Sequence, residues 1–112
     1  MSTAPRASFS YEIEKSTDES KNAVTTIKCH GRIVSDTAGQ VKEVVKPLIP
    51  LGGRILIDLT NVEHLDSSGL GTLVGLKASA VNAGYCRLEL VNISPRVAEL
   101  LRITKLTQLF SS

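Results

Sequence analysis

Long apolar runs are missing from this chain of 112 residues. The opening stretch Met1-Ser2-Thr3-Ala4-Pro5-Arg6 has none of the apolar character of a secretory signal, and nothing later approaches the roughly 18 to 20 apolar residues of a membrane span. A soluble, cytoplasmic protein with no membrane partner is expected. Cysteine is scarce: Cys29 and Cys86 stand far apart, each inside an apolar, strand-like run. Both read as reduced core residues, since a free cysteine packs as a small hydrophobe, and a disulfide would require their strands to be neighbours. With only two histidines, at irregular spacing, they make no zinc site, and no metal is expected. Net charge is also small, 13 Lys plus Arg against 11 Asp plus Glu, and the basic residues are scattered. Nucleic-acid binders gather Lys and Arg on one face, so no nucleic acid is expected. Internal repeats and low-complexity tracts are absent.

What is present is an ordinary globular balance, 42% hydrophobic and 21% charged, which argues for one real core. The length suits a single domain over residues 1–112, with residues 1–8 expected to be flexible. Phe9 to Glu14 alternates apolar and polar as a half-exposed strand does, and Ala23 to Gly31 is strand-like after the polar turn Ser16 to Asn22. The two should form a hairpin. Asp36 and Thr37 can cap a helix carrying Val41, Val44, Val45 and Leu48, which Pro47 should kink or stop. Arg54 to Leu59 is apolar almost throughout, as expected of a central strand covered on both faces. A loop from Thr60 to Asp66 should lead into a helix from about Ser68 to Ala83, with Leu70, Leu73, Val74 and Val81 on one side, stopped by Gly84. Cys86 to Leu90 alternates as a strand, Ser94-Pro95 opens a third helix, and Thr107 to Phe110 is expected as a last edge strand. The fold class is α/β: a mixed, mainly parallel sheet of four to five strands with helices, beginning with an antiparallel hairpin.

The stretch Asn61-Val62-Glu63-His64-Leu65-Asp66-Ser67-Ser68-Gly69-Leu70-Gly71 lies where open α/β sheets place their sites, between a parallel strand and the next helix. Asp, Ser and Gly are also what any helix start recruits to bond its unpaired amides. A dinucleotide fingerprint would need glycine where Val74 stands, and no Gly-Lys-Ser or Gly-Lys-Thr occurs for a phosphate loop. A Ser-His-Asp triad is not compelled either, because His30 is on a strand and His64 reads as a solvent-facing loop residue. A serine at a helix start suits a phosphate delivered by another enzyme, since the free amides and the helix dipole favour negative charge there. The group adds about −1.5 to −2 charges at pH 7, costly to bury beside Asp66 unless a partner supplies cations.

Leu65-Asp66-Ser67-Ser68-Gly69-Leu70-Gly71 resembles the signature of STAS domains, specifically bacterial anti-sigma-factor antagonists. The likeness runs over nearly the whole chain and takes in the strand Arg54 to Leu59, Leu88 to Asn92, and Val97 to Leu106. It implies a non-catalytic partner switch. The unphosphorylated antagonist binds an anti-sigma factor that is also a serine kinase, and phosphorylation releases it. A serine phosphatase resets the switch, and ATP belongs to the partner, so no cofactor is implied for this chain. Ser67 would be the acceptor, Asp66, Ser68 and Gly69 its supports, and Val34, Ser35, Asp36 and Leu70 candidate partner contacts. A STAS module that binds a ligand or builds a sensory scaffold without phosphorylation is the alternative. Two departures stand out. The family often has an acid after Gly, any residue and an aliphatic, where this chain reads Gly31-Arg32-Ile33-Val34. Relatives also usually continue into a further helix, which is either absent here or lies beyond the sequence given.

Overall fold

The computed structural model describes residues 9–111. The expectation of flexibility at residues 1–8 lies outside them. Nine-residue β1 (Phe9–Thr17) pairs antiparallel with β2 (Ala23–Ile33), and the turn between them is closed by Asp18, whose carboxylate accepts from the amides of Ser20 and Asn22 at 2.9 Å. Helix α1 (Ala38–Val45) passes into a 3₁₀ turn, Lys46–Leu51, that holds both Pro47 and Pro50. Proline cannot donate to an α-helical ladder, so the helix gives way where Pro47 was expected to stop it. The chain then runs through β3 (Gly53–Leu65), α2 (Ser67–Ala83), β4 (Cys86–Val91), α3 (Pro95–Ile103) and α4 (Thr107–Ser111). Strand order is β1-β2-β3-β4, with β2, β3 and β4 mutually parallel. The expected hairpin and parallel crossovers are both there.

One face of the sheet carries the core. Ile27 and Cys29 of β2, Ile55, Ile57 and Leu59 of β3 and Leu88 of β4 meet Val41 and Val45 of α1, Leu70, Leu73 and Leu76 of α2, and Val97 and Leu101 of α3. Among the described residues no helix covers the other face, contrary to the expectation for Arg54 to Leu59: burial alternates along β3, and Arg54, Leu56 and Asp58 are only half-buried. That face is a lattice of ion pairs, Lys28 to Glu14 at 2.8 Å and Arg54 to Glu89 at 3.1 Å, which partial exposure makes weak individually. Cys29 and Cys86 are free and buried, on strands that β3 keeps apart.

Three other expectations change. The segment Thr60 to Leu65 is strand, not loop: β3 continues beside β2 as far as the pair Ile33 and Leu65, with irregularities at Lys28/His30 and Gly31/Arg32. Thr107 to Phe110 is helix, not an edge strand, because Lys105, at φ 61, turns the chain back so that Leu106 and Phe110 pack onto the core. Four residues of mixed character cannot distinguish those outcomes by pattern. Val81 is 60% exposed, whereas Lys77, on the same helix, is 4% exposed and donates to the Leu88 carbonyl at 2.9 Å, fastening α2 to β4. Gly84 ends α2 in the left-handed region at φ 82, its amide donating to the carbonyls of Ala80 and Val81, as its expected role requires. Among the described residues no helix is long and apolar enough to cross a membrane.

Two tests follow from this packing. Leu73, fully buried in α2, should cost about 2 to 5 kcal/mol on replacement by Ala, read as a lower midpoint in urea unfolding. Burial pushes the Cys29 thiol up to about 12, with the Asp58 carboxylate adding to the effect, so the reactive thiolate is scarce at pH 8. A chromogenic thiol reagent should therefore label Cys29 only as fast as the protein opens, and labelling before unfolding would contradict the packing.

Candidate functional site

Two parallel strands deliver the site. The ends of β2 and β3 lie side by side, and the Asp66 amide donates to the Ile33 carbonyl at 3.3 Å, so the last residue before α2 is pinned to the end of β2. Asp66 is the N-cap of α2, extended at φ −99 and ψ −175, and its Oδ1 accepts from the Gly69 amide at 2.8 Å. Its Oδ2 accepts from the Ser35 amide at 3.3 Å. One carboxylate thus holds two segments 31 positions apart, the turn after β2 and the start of α2. Capping was expected of this stretch, with the helix starting at about Ser68; the helix starts at Ser67 and Asp66 is the cap, and the bond to Ser35 was not visible in local sequence.

Gly69 makes the approach possible. A Cβ at this position would stand 2.0 Å from the Ile33 carbonyl oxygen and 2.9 Å from an Ile33 methyl group. Gly69 and Leu70 are buried; Asp66, Ser67 and Ser68 are exposed. Leu70, proposed from the resemblance as a partner contact, is 5% exposed and belongs to the core, so it supports the surface from beneath. Ser35 and Asp36 are exposed and Val34 is half-buried, on the same rim as Asp66. The turn they form is closed by Thr37, entirely buried, whose hydroxyl donates to the Arg32 carbonyl at 2.6 Å and accepts from the Val34 amide at 3.0 Å. Thr37 therefore braces the turn and makes no side-chain cap on α1, where capping was expected.

Ser67 occupies the first position of α2, with its side chain in solvent. The amides of Ser67 and Ser68 have no intrahelical acceptor, so the local field favours an anion. Among the described residues no hydrogen bond joins Ser67 to a histidine: His64 is exposed on β3, and His30 faces Glu12 at 3.5 Å. A nucleophilic serine held by an imidazole is thus not assembled here. Sequence reading passed over Arg32 and Arg96, which line a hollow beside Asp66. Neither lies in the motif, and only folding brings them to it.

Substituting Gly69 by Ala should force α2 away from β2 and cost about 1 to 3 kcal/mol, the usual penalty of overpacking. Asp66→Ala should cost about 1 kcal/mol for the lost cap, with additional hydrogen exchange at the Ser35 amide. A Gly69→Ala protein as stable as wild type would contradict the close approach.

The model of the STAS domain family matches residues 15–112. An anti-sigma-B factor antagonist of Staphylococcus aureus (strain NCTC 8325 / PS 47) is 34% identical over 84 residues, which is 74% of this chain and 77% of that protein. Among solved structures, an anti-sigma factor antagonist from Mycobacterium paratuberculosis superposes with TM-score 0.75 at 20% identity, covering 97% of this chain and 88% of that one. The antagonist SpoIIAA, in its unphosphorylated form, gives TM-score 0.69 at 20% identity over 89% of this chain and 84% of its own. Its phosphorylated form, from Bacillus, gives 0.66 at the same identity, over 89% and 87%. A four-stranded mixed sheet with an Asp-capped helix start, and a family model matched from β1 to the last residue, place this chain in the STAS domain family.

Proposed function

We propose that this protein is an anti-sigma-factor antagonist whose binding surface is switched off by phosphorylation of Ser67. The observation that carries the reading is the exposed hydroxyl at the first position of α2, in a turn that Asp66 and Gly69 hold rigidly against β2. In the unmodified state the rim formed by Ser67, Ser68, Ser35 and Asp36 docks an anti-sigma factor that is itself a serine kinase. The kinase binds ATP. Ser67 Oγ attacks the γ-phosphorus, the bond to ADP breaks, and the hydroxyl proton leaves to a base that the kinase supplies. A serine phosphatase later returns the free hydroxyl.

Added charge explains the release. A phosphoserine brings about −1.5 to −2 charges next to Asp66, inside an interface where like charges are costly. The helix itself tolerates the group, because its N-terminal amides and dipole favour an anion. Binding is lost while the fold survives. The name of the Staphylococcus aureus relative supports an anti-sigma factor as partner, and SpoIIAA, solved both unphosphorylated and phosphorylated, supports a fold that accommodates the phosphate.

With the partner kinase and ATP, mass spectrometry should find one phosphoryl group on Ser67 in wild type and none in Ser67→Ala. Ser67→Asp should weaken partner binding by about a hundredfold, given a like-charge cost of several kcal/mol, while the melting temperature changes little. Full phosphorylation of Ser67→Ala, or wild-type affinity in Ser67→Asp, would overturn the reading in favour of a STAS module working without phosphate.

A further inference from the structure

A surface hollow of about 390 Å³ opens beside the first turn of α2, with Arg32, Ser35, Asp36, His64, Asp66 and Arg96 in its walls. Arg32 comes from the end of β2, directly across from His64 in the parallel register, and Arg96 from the first turn of α3. Elements remote in sequence thus bring two permanently charged guanidiniums to one place. Among the described residues neither arginine pairs with a carboxylate within ion-pair distance, although two acids share the hollow. Asp66 is committed to the amides of Ser35 and Gly69, which leaves Asp36 as the one uncommitted acid against two cations. Arg32 adds a sharper sign: its Nε is closed off from solvent and has no hydrogen-bond partner among the described residues. A buried donor without an acceptor is costly and rare enough to need a reason. The Nε edge of a guanidinium, with its neighbouring Nη, is also the fork that takes a carboxylate through two parallel bonds.

We propose that this hollow seats an acidic side chain, aspartate or glutamate, of the protein that docks on the Ser67 surface, held by Arg32 and Arg96. The inference rests on the Ser67 reading above, since it assumes that surface is where the partner sits. Charge argues for the occupant: an acid satisfies two unpaired cations and an orphaned donor at once, whereas a basic or apolar group would leave all three unmet. Position argues for a protein side chain, because the hollow shares Ser35 and Asp36 with the docking rim and includes Asp66, the residue before Ser67. Presenting the Nε edge to an entering carboxylate requires a rotation of the half-buried Arg32 side chain, since Nε is enclosed in the free protein. Phosphorylation then has a specific target. The phosphate on Ser67, one residue from Asp66, repels the seated carboxylate and draws on the same guanidiniums.

Calorimetric titration of the full chain with the anti-sigma factor that binds the unmodified protein tests this, comparing wild type, Arg32→Gln, Arg96→Gln and Ser67→Asp at low and physiological salt. Each Gln variant should bind about tenfold or more weakly, as expected for losing a hydrogen bond to a charged group, and should show a flatter salt dependence. Arg32→Lys should recover only part of the loss, because an ammonium lacks the fork. Arg96 is exposed on the surface of α3, so its variant reads binding without risk to the core. Wild-type affinity in both Gln variants, with binding still destroyed in Ser67→Asp, overturns the inference and leaves the Ser67 reading intact. Wild-type affinity in Ser67→Asp overturns the reading itself. Gln variants that bind normally unmodified, but whose phosphorylated forms fail to release the partner, would assign the arginines to the chain's own phosphate and also overturn the proposal.

Discussion

The carboxylate of Asp66 sits at the one junction on which the rest of the surface depends. It takes the Gly69 amide with one oxygen and the Ser35 amide with the other, while its own amide is given to the Ile33 carbonyl. The start of α2, the turn after β2 and the ends of two parallel strands are thereby tied into a single unit. Charged acceptors make stronger hydrogen bonds than neutral ones, and the bond from Ser35 crosses between segments distant along the chain. The price of such closeness is side-chain volume, and Gly69 meets it by having none: the Ile33 carbonyl lies where a Cβ would stand. Ser67 has no such duty, and the same geometry that consumes its neighbours leaves its hydroxyl in solvent.

That division of labour shapes how a signal could act. The residues that hold the turn, Thr37, Gly69 and Leu70, are buried, and those that face outward, Ser35, Asp36, Ser67 and Ser68, contribute little to the core. Change in charge at the rim is therefore felt by whatever docks there far more than by the interior. The core lies on one side of the sheet, anchored by Lys77 reaching from α2 to the Leu88 carbonyl, and the other side is balanced by ion pairs. Negative charge added at a helix start is favoured locally and penalised only across an interface, so such a platform keeps its fold when its rim charge changes.

Much of this was legible in the chain itself. Alternation in Cys86 to Leu90, the 3.6-residue spacing around Val41 and Val45, the stop at Gly84 and the cap at Ser94 each reflect local rules that tertiary packing did not override. The start of α2 around Asp66 and Ser67 was legible for the same reason, since Asp, Ser and Gly together mark a helix start. Phe9 to Glu14 is a strand as its alternation predicts, but the half-buried face does not follow: Tyr11 and Ile13 are 44% and 43% exposed, because among the described residues no helix of the core reaches under this edge strand. Where pattern and packing diverged, the outcome belonged to the packing. Thr60 to Leu65 carries too many polar residues to read as strand, yet pairing with β2 keeps it extended. Val81 reads as core yet is 60% exposed, while Lys77 of the same helix is buried with its ammonium donating to the Leu88 carbonyl. Thr107 to Phe110 is helical because the turn at Lys105 aims it at the core.

By itself the sequence determined the order of elements as far as α3, the mixed sheet and the position of the exposed serine at the start of α2, because periodicity, capping and glycine placement act over a few residues and need no distant partner. Only the tertiary structure decided which residues surround that serine. The bond from Asp66 to Ser35, the contact between Gly69 and Ile33, and the meeting of Arg32 with Arg96 all join segments that the chain separates by tens of residues. Such neighbours are set by crossover geometry and strand register, neither of which leaves a trace in local sequence.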